Sequence, residues 1–131
     1  MHLPKQHIYI LDDDVAVFEE LQELIEIFGF DVRAFASAEE YFENVPTREQ
    51  GCLILDLHMP GLDGWEVQKK LFASGSRNPI ILITADHRPE IRERALKSGV
   101  VGVLLKPFKH EDLIDLIHQA FKKITAPVGG I

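Results

Sequence analysis

Six residues of this sequence have types that could do chemistry together: Asp12, Asp13, Asp14, Asp56, Thr84 and Lys106. Three or four carboxylates gathered within a few ångströms repel one another, and stability alone gives no reason to collect them. A hard divalent cation resolves the repulsion. Mg²⁺ takes oxygen ligands in octahedral geometry and keeps several waters, so two or three carboxylates plus a main-chain carbonyl suit it. A lysine on the far side would neutralise further negative charge, and a threonine hydroxyl can donate to an incoming oxyanion. Such a set is an electrostatic cradle for a phosphoryl group. Asp56 is the carboxylate best placed as nucleophile, because it can form an aspartyl phosphate.

Each piece alone has a plain structural alternative. An Asp cluster before a helix caps it and complements its dipole. Asp56, before Leu57-His58-Met59-Pro60-Gly61, could fix a turn. Thr84 could cap the next segment, and Lys106 could be a surface lysine held by Pro107. The specificity lies in convergence, and convergence depends on the elements that carry these residues.

Short apolar runs at 7–11, 32–35, 52–55, 80–84 and 101–105 read as strands. The runs Ile8-Tyr9-Ile10-Leu11 and Pro79-Ile80-Ile81-Leu82-Ile83 are continuous rather than alternating, which suggests strands covered on both faces. Amphipathic stretches lie between them. Phe18, Leu21, Leu24, Ile25 and Phe28 recur at helical spacing, with Gly29 as a C-cap. A short helix follows Ser37, which with Glu40 matches a capping box. Further helices are expected at about 64–73, 89–97 and 110–123, the last with Leu113, Ile117, Ala120 and Ile124 along one stripe. Strand–helix alternation repeated five times predicts an α/β fold, a doubly wound five-stranded parallel sheet with five flanking helices. Four of the five strands then end in one of the polar residues above, on the edge where open parallel sheets bind ligands.

Composition narrows the function classes. The chain has 131 residues, enough for one domain (1–124) that folds without disulfides, followed by a tail or linker start at 125–131. Cys52 is the only cysteine and fits a reducing compartment. No apolar run approaches a membrane span and the Met1-His2-Leu3-Pro4 start has no signal-peptide pattern, so a cytoplasmic, non-membrane protein is expected. The formal charge is −7, and there is no Lys or Arg between Lys5 and Arg33. That argues against direct nucleic-acid binding, which wants clustered Lys and Arg. The six histidines show no metal-ligand spacing, so no zinc site is expected.

Taken together, Ile10-Leu11-Asp12-Asp13-Asp14, Leu53-Ile54-Leu55-Asp56 with Met59-Pro60-Gly61 and Asp63-Gly64, Ile83-Thr84-Ala85, and Lys106-Pro107-Phe108 resemble the receiver domains of two-component response regulators, the CheY-like family. The resemblance runs from about His7 to Phe121. It implies the flavodoxin-like strand order 2-1-3-4-5 and a signalling switch rather than an enzyme, catalysing only its own phosphorylation and dephosphorylation. It implies that Asp56 takes a phosphoryl group from a phosphohistidine on a sensor histidine kinase or phosphotransfer protein. Asp13 and Asp56 would bind Mg²⁺ directly, Asp12 through water, and the main-chain carbonyl of His58 would complete the protein ligands. Thr84 and Lys106 would contact the phosphoryl oxygens, and the Lys106–Pro107 bond would be cis. Asp14, with no family role, reads as a helix N-cap.

One departure matters: many receivers carry Tyr or Phe three residues before the lysine, where this chain has Val103. The aromatic switch is therefore replaced, and displacement of loop 86–89 and the following helix is expected to signal instead. His58 and Asp86 should flank the entrance for hydrolytic water and tune the phosphate's lifetime, with exposed loop residues as the plain alternative. Leu116 falls off the buried stripe of the last helix and marks either a phosphorylation-dependent homodimer surface or a lone exposed leucine. The loop 59–64 resembles receivers fused to helix-turn-helix output domains, so an output domain or downstream protein is an expected partner. Glu19, Glu20, Glu23 and Glu26 form a solvated face or a docking surface for a basic kinase. Two rival readings remain. A haloacid-dehalogenase-type phosphatase would use Asp12-x-Asp14, but Ala16 departs from its motif and its later paired acids are missing. A non-phosphorylated pseudo-receiver binding module would commonly lack part of the acid, Thr and Lys set.

Overall fold

Strand residues with branched or long apolar side chains on both faces need cover on both sides of the sheet. The computed structural model, which describes residues 6–125, provides it. In chain order the elements are β1 (His7–Leu11), α1 (Val15–Ile27), β2 (Asp31–Phe35), α2 (Ala38–Asn44), β3 (Cys52–Asp56), α3 (Gly64–Ala73), β4 (Ile80–Thr84), α4 (Pro89–Lys97), β5 (Gly102–Leu105) and α5 (His110–Thr125). All strand pairings are parallel, in the order β2-β1-β3-β4-β5. This is the doubly wound architecture expected.

Alternate residues of the strands feed two cores. Ile8, Ile10, Cys52, Ile54, Ile81 and Ile83 pack under α1 and α5, against Leu21, Ile25, Leu113, Ile117 and Ala120. Tyr9, Leu11, Leu53, Leu55 and Leu82 face the other way, against Tyr41 of α2, Val67 and Leu71 of α3, and Ala95 of α4. The period of two along each strand thus sorts one continuous apolar run into two layers.

Several local expectations are corrected. Phe28 is not part of the α1 core face; it is the C-cap residue and is half exposed, because the helix ends at Ile27 and Gly29 turns the chain at φ +91°. At Ser37 only half of the expected capping box forms: its hydroxyl accepts from the Glu40 N–H. The reciprocal box is at Asp63 and Glu66, opening α3. Leu116 is not a lone exposed leucine. It is partly buried against the α1/α5 core, and a Cβ on Gly102 of β5 would come within 2.6 Å of it. Thr125, expected to start a tail, is the last residue of α5; the rest of that tail and the N-terminal segment 1–5 lie outside the described residues.

Candidate functional site at the carboxyl edge of the sheet

Strand register brings the polar residues together. Leu11 pairs with Leu55, so the next residues along, Asp12 and Asp56, lie side by side at the strand ends. Thr84 pairs with Leu105, which puts Lys106 one step beyond on the neighbouring strand. The sheet's hydrogen bonding continues into the site: the Asp12 N–H donates to the Phe35 carbonyl (3.2 Å), Leu57 to Ile83 (3.0 Å) and Lys106 to Thr84 (2.8 Å). Each functional side chain is therefore anchored by a backbone bond at or beside its own residue.

Asp12 and Thr84 are fully buried and Asp56 is nearly so, whereas Asp13 is exposed. Carboxylate oxygens of Asp12, Asp13 and Asp56 lie within 4.8 Å of one another. Lys106 bridges the two buried acids, its Nζ 3.0 Å from Asp12 Oδ2 and 3.3 Å from Asp56 Oδ2. The other Asp12 oxygen accepts from the Asp14 N–H at 2.9 Å, and Asp56 Oδ1 from the His58 N–H at 3.1 Å. Asp14 itself caps α1, accepting from the Val17 N–H. Gly64 lets the α3 entry pass close beneath: a Cβ there would sit 2.8 Å from Leu57 Cα and 3.0 Å from the Asp56 carbonyl oxygen. The Lys106–Pro107 peptide is cis.

These surroundings shift the ionisation of the site. Burial pushes the Asp56 carboxyl up to about 6, with the charge of Asp12 adding to it and the His58 N–H and Lys106 opposing. Burial also works against the Lys106 ammonium, but its bond to Asp12 and the charges of both acids outweigh that and raise its pKa. A buried pair of acids with one cation is still short of positive charge. Three hard carboxylate oxygens at this spacing fit a divalent cation such as Mg²⁺.

The rim of the site comes from two loops. Asp86 Oδ2 lies 3.5 Å from His58 Nε2 and 2.6 Å from Arg88 Nη2, and Asp86 Oδ1 accepts from Arg88 Nε at 2.9 Å. The Arg88 side chain and N–H hold the Asp86 carboxyl well below the usual range. The Asp86 N–H donates to Thr84 Oγ1 at 3.0 Å. His87 Nε2 lies 2.9 Å from the Lys106 carbonyl oxygen, tying the same loop to the turn after β5. Sequence reasoning found His58 and Asp86 but missed Arg88 and His87. Only the i,i+2 spacing of Asp86 and Arg88, an acid and a base in one short loop, pointed to the first. Val103 pairs with Leu82, away from the acids, and packs partly buried against the α2/α3/α4 core.

The sequence profile of the response regulator receiver domain matches residues 8–118. The chain belongs to the response regulator receiver domain family. As a receiver it is a signalling switch rather than a conventional enzyme. The response regulator protein TmoT of Ectopseudomonas mendocina is 41% identical over 115 residues, covering 88% of this chain and 52% of TmoT. The transcriptional regulatory protein FixJ of Bradyrhizobium diazoefficiens is 36% identical over 119 residues, 91% of this chain and 58% of FixJ. The solved structure of the response regulator StyR superposes with a TM-score of 0.85 at 37% identity, covering 92% of this receiver and 61% of StyR. This receiver thus spans about half the length of the curated relatives it matches. Among the described residues no helix is long and apolar enough to cross a membrane.

Proposed function

We propose that this receiver accepts a phosphoryl group on Asp56 in a Mg²⁺-dependent reaction, from a phosphohistidine of a sensor kinase or phosphotransfer protein. The observation that carries the reading is the bridge: one lysine contacts both buried acids while a third carboxylate faces them from the rim. A structural salt bridge needs one acid; this arrangement leaves negative charge for a cation to meet.

In the transfer, an Asp56 carboxylate oxygen forms a bond to phosphorus as the phosphorus–nitrogen bond to the donor imidazole breaks. The electron pair of that bond leaves with the donor ring, which departs as neutral imidazole if its other nitrogen carries a proton. No proton then has to move within this chain. Asp13, Asp56 and the His58 main-chain carbonyl would hold the cation directly, with Asp12 acting through water. When bound, Mg²⁺ supplies positive charge against the carboxylates and the phosphoryl oxygens. Thr84 accepts the Asp86 N–H on a lone pair, which leaves its hydroxyl hydrogen to donate to a phosphoryl oxygen. Lys106 moves its donors from the acids to the other phosphoryl oxygens. With Val103 in place of an aromatic, the change reaches the surface through loop 86–89 and α4. Domain 1–124 is the switch, and output lies with a following domain or a downstream protein; FixJ, which shares this region, is a transcriptional regulatory protein.

Incubation with acetyl phosphate and MgCl₂ followed by intact-mass measurement tests the reading. One phosphoryl adduct is expected, absent from Asp56→Asn; no adduct in either protein supports a pseudo-receiver that only binds. Asp86→Ala and Arg88→Ala are expected to change the dephosphorylation rate by about tenfold or less while leaving uptake nearly unchanged, since both belong to the rim of the site beside Thr84 rather than to the buried acids. Equal effects on both rates would remove that role.

A further inference from the structure

The negative charge of the chain has a counterpart on the other side of the sheet. Between α3 and α4 runs a groove of about 560 Å³ with Trp65, Leu71, Phe72 and Ile80 among its walls and Lys69, Arg77 and Arg94 along its rim. It shares its floor with a smaller cavity that adds Lys123 at the end of α5. None of the residues lining either cavity is acidic, in a chain of net charge −7. Among the described residues no carboxylate pairs with these bases, and two of them, Arg94 and Arg77, lie on aromatic faces. Arg94 stacks 4.0 Å from the Trp65 ring centre and Arg77 lies 6.0 Å from that of Phe72. Phe72 is 74% exposed. Stacked guanidinium groups keep their donors pointing outward, available to carboxylates.

The matching surface is α1. It has neither Lys, Arg nor His over its 13 residues, and Glu19, Glu23 and Glu26 follow one another along an exposed stripe that ends in Ile27, 80% exposed. Those three carboxylates span about 10 Å of helix. An acidic helical stripe closed by an aliphatic side chain complements a basic, aromatic-walled groove in charge and in its apolar end.

We propose that α1 of one copy of this chain docks into the α3–α4 groove of a second copy. Glu19, Glu23 and Glu26 meet Arg94, Arg77 and Lys69, and Ile27 packs toward Phe72. Because α1 and the groove lie on opposite faces of the sheet, the two surfaces of one molecule serve different neighbours. The contact is head-to-tail, so it extends beyond a dimer as concentration rises. It is made by exposed charges, so it weakens with salt.

Sedimentation velocity of the whole chain over a concentration series, at about 20 mM and about 300 mM salt, tests this. Two double variants are compared with it, Arg77→Gln with Arg94→Gln and Glu19→Gln with Glu23→Gln, all four positions being exposed. At low salt the parent is expected to pass from monomer to species larger than a dimer, and at high salt to return to monomer. Each double variant alone is expected to remain monomeric. Mixed together they pair into a dimer and nothing larger, because the mixture retains one intact helix and one intact groove per pair. A parent that stays monomeric at low salt overturns the proposal. So does association that either double variant retains, or that salt leaves unchanged, since the contact would then lie on another face.

Discussion

Asp12 and Asp56 at the end of the sheet and Glu19, Glu20, Glu23 and Glu26 along α1 carry the same functional group into opposite surroundings. The two aspartates are buried, share one lysine, and include a carboxyl pushed up to about 6. The glutamates are exposed along one helix with no base among them. Burial makes the Asp56 carboxyl expensive to ionise and therefore responsive to a cation, a phosphoryl group or a proton. Water screens the second set, which costs the fold little and is available for contacts between molecules. Solvent exposure rather than residue type thus sets the two groups of carboxylates apart.

Removing the shared cation should break this contrast most severely. Lys106→Ala leaves two buried acids facing each other, and a loss of roughly 2–4 kcal/mol is expected in urea unfolding at neutral pH. Added Mg²⁺ should restore much of it, because a divalent cation meets the same charge. A loss that Mg²⁺ does not touch would mean that Lys106 stabilises by packing alone.

The next effect has the opposite sign. A carboxyl raised from 3.8 to about 6 holds its proton in the folded state over a range where the unfolded chain has released it. The stability it lends is fully present below pH 3.8 and is lost as pH rises to about 6. Asp56→Asn removes that loss and should stabilise the metal-free protein by about 1–3 kcal/mol at pH 7, the gain vanishing near pH 4. Unfolding curves across that range check it; a variant less stable than the parent at pH 7 contradicts it.

The smallest effect is the control. Glu23→Gln on α1 should change stability by less than about 0.5 kcal/mol, at any pH above the carboxylate range. A larger change would show that the α1 acids belong to the fold as much as the buried pair does.

Much of this division was legible before any coordinates. Continuous apolar runs announced covered parallel strands, and the polar residues closing four of the five runs named the candidate edge. The pairing inside that edge was not legible. The sequence pointed Lys106 toward a phosphoryl group but not toward its contacts with both Asp12 and Asp56, a relation set by the register of β1, β3, β4 and β5. Arg88 was overlooked because its partner Asp86 already had a reading and the loop geometry joining them is not periodic. Gly64 read as a helix start and as part of the Asp63-Gly64 motif, but not as the close approach its missing side chain allows between α3 and Leu57. The Arg94–Trp65 stack joins residues of α3 and α4, two helices whose spacing no local pattern encodes.

The central claim, that Asp56 is the phosphoacceptor, is tested most directly by reductive trapping. The protein is phosphorylated with acetyl phosphate and Mg²⁺, reduced with borohydride, digested and sequenced by mass spectrometry. An aspartyl phosphate is reduced to homoserine, and homoserine is expected at position 56 alone. Homoserine at position 12 or 13, or at none, would contradict the account.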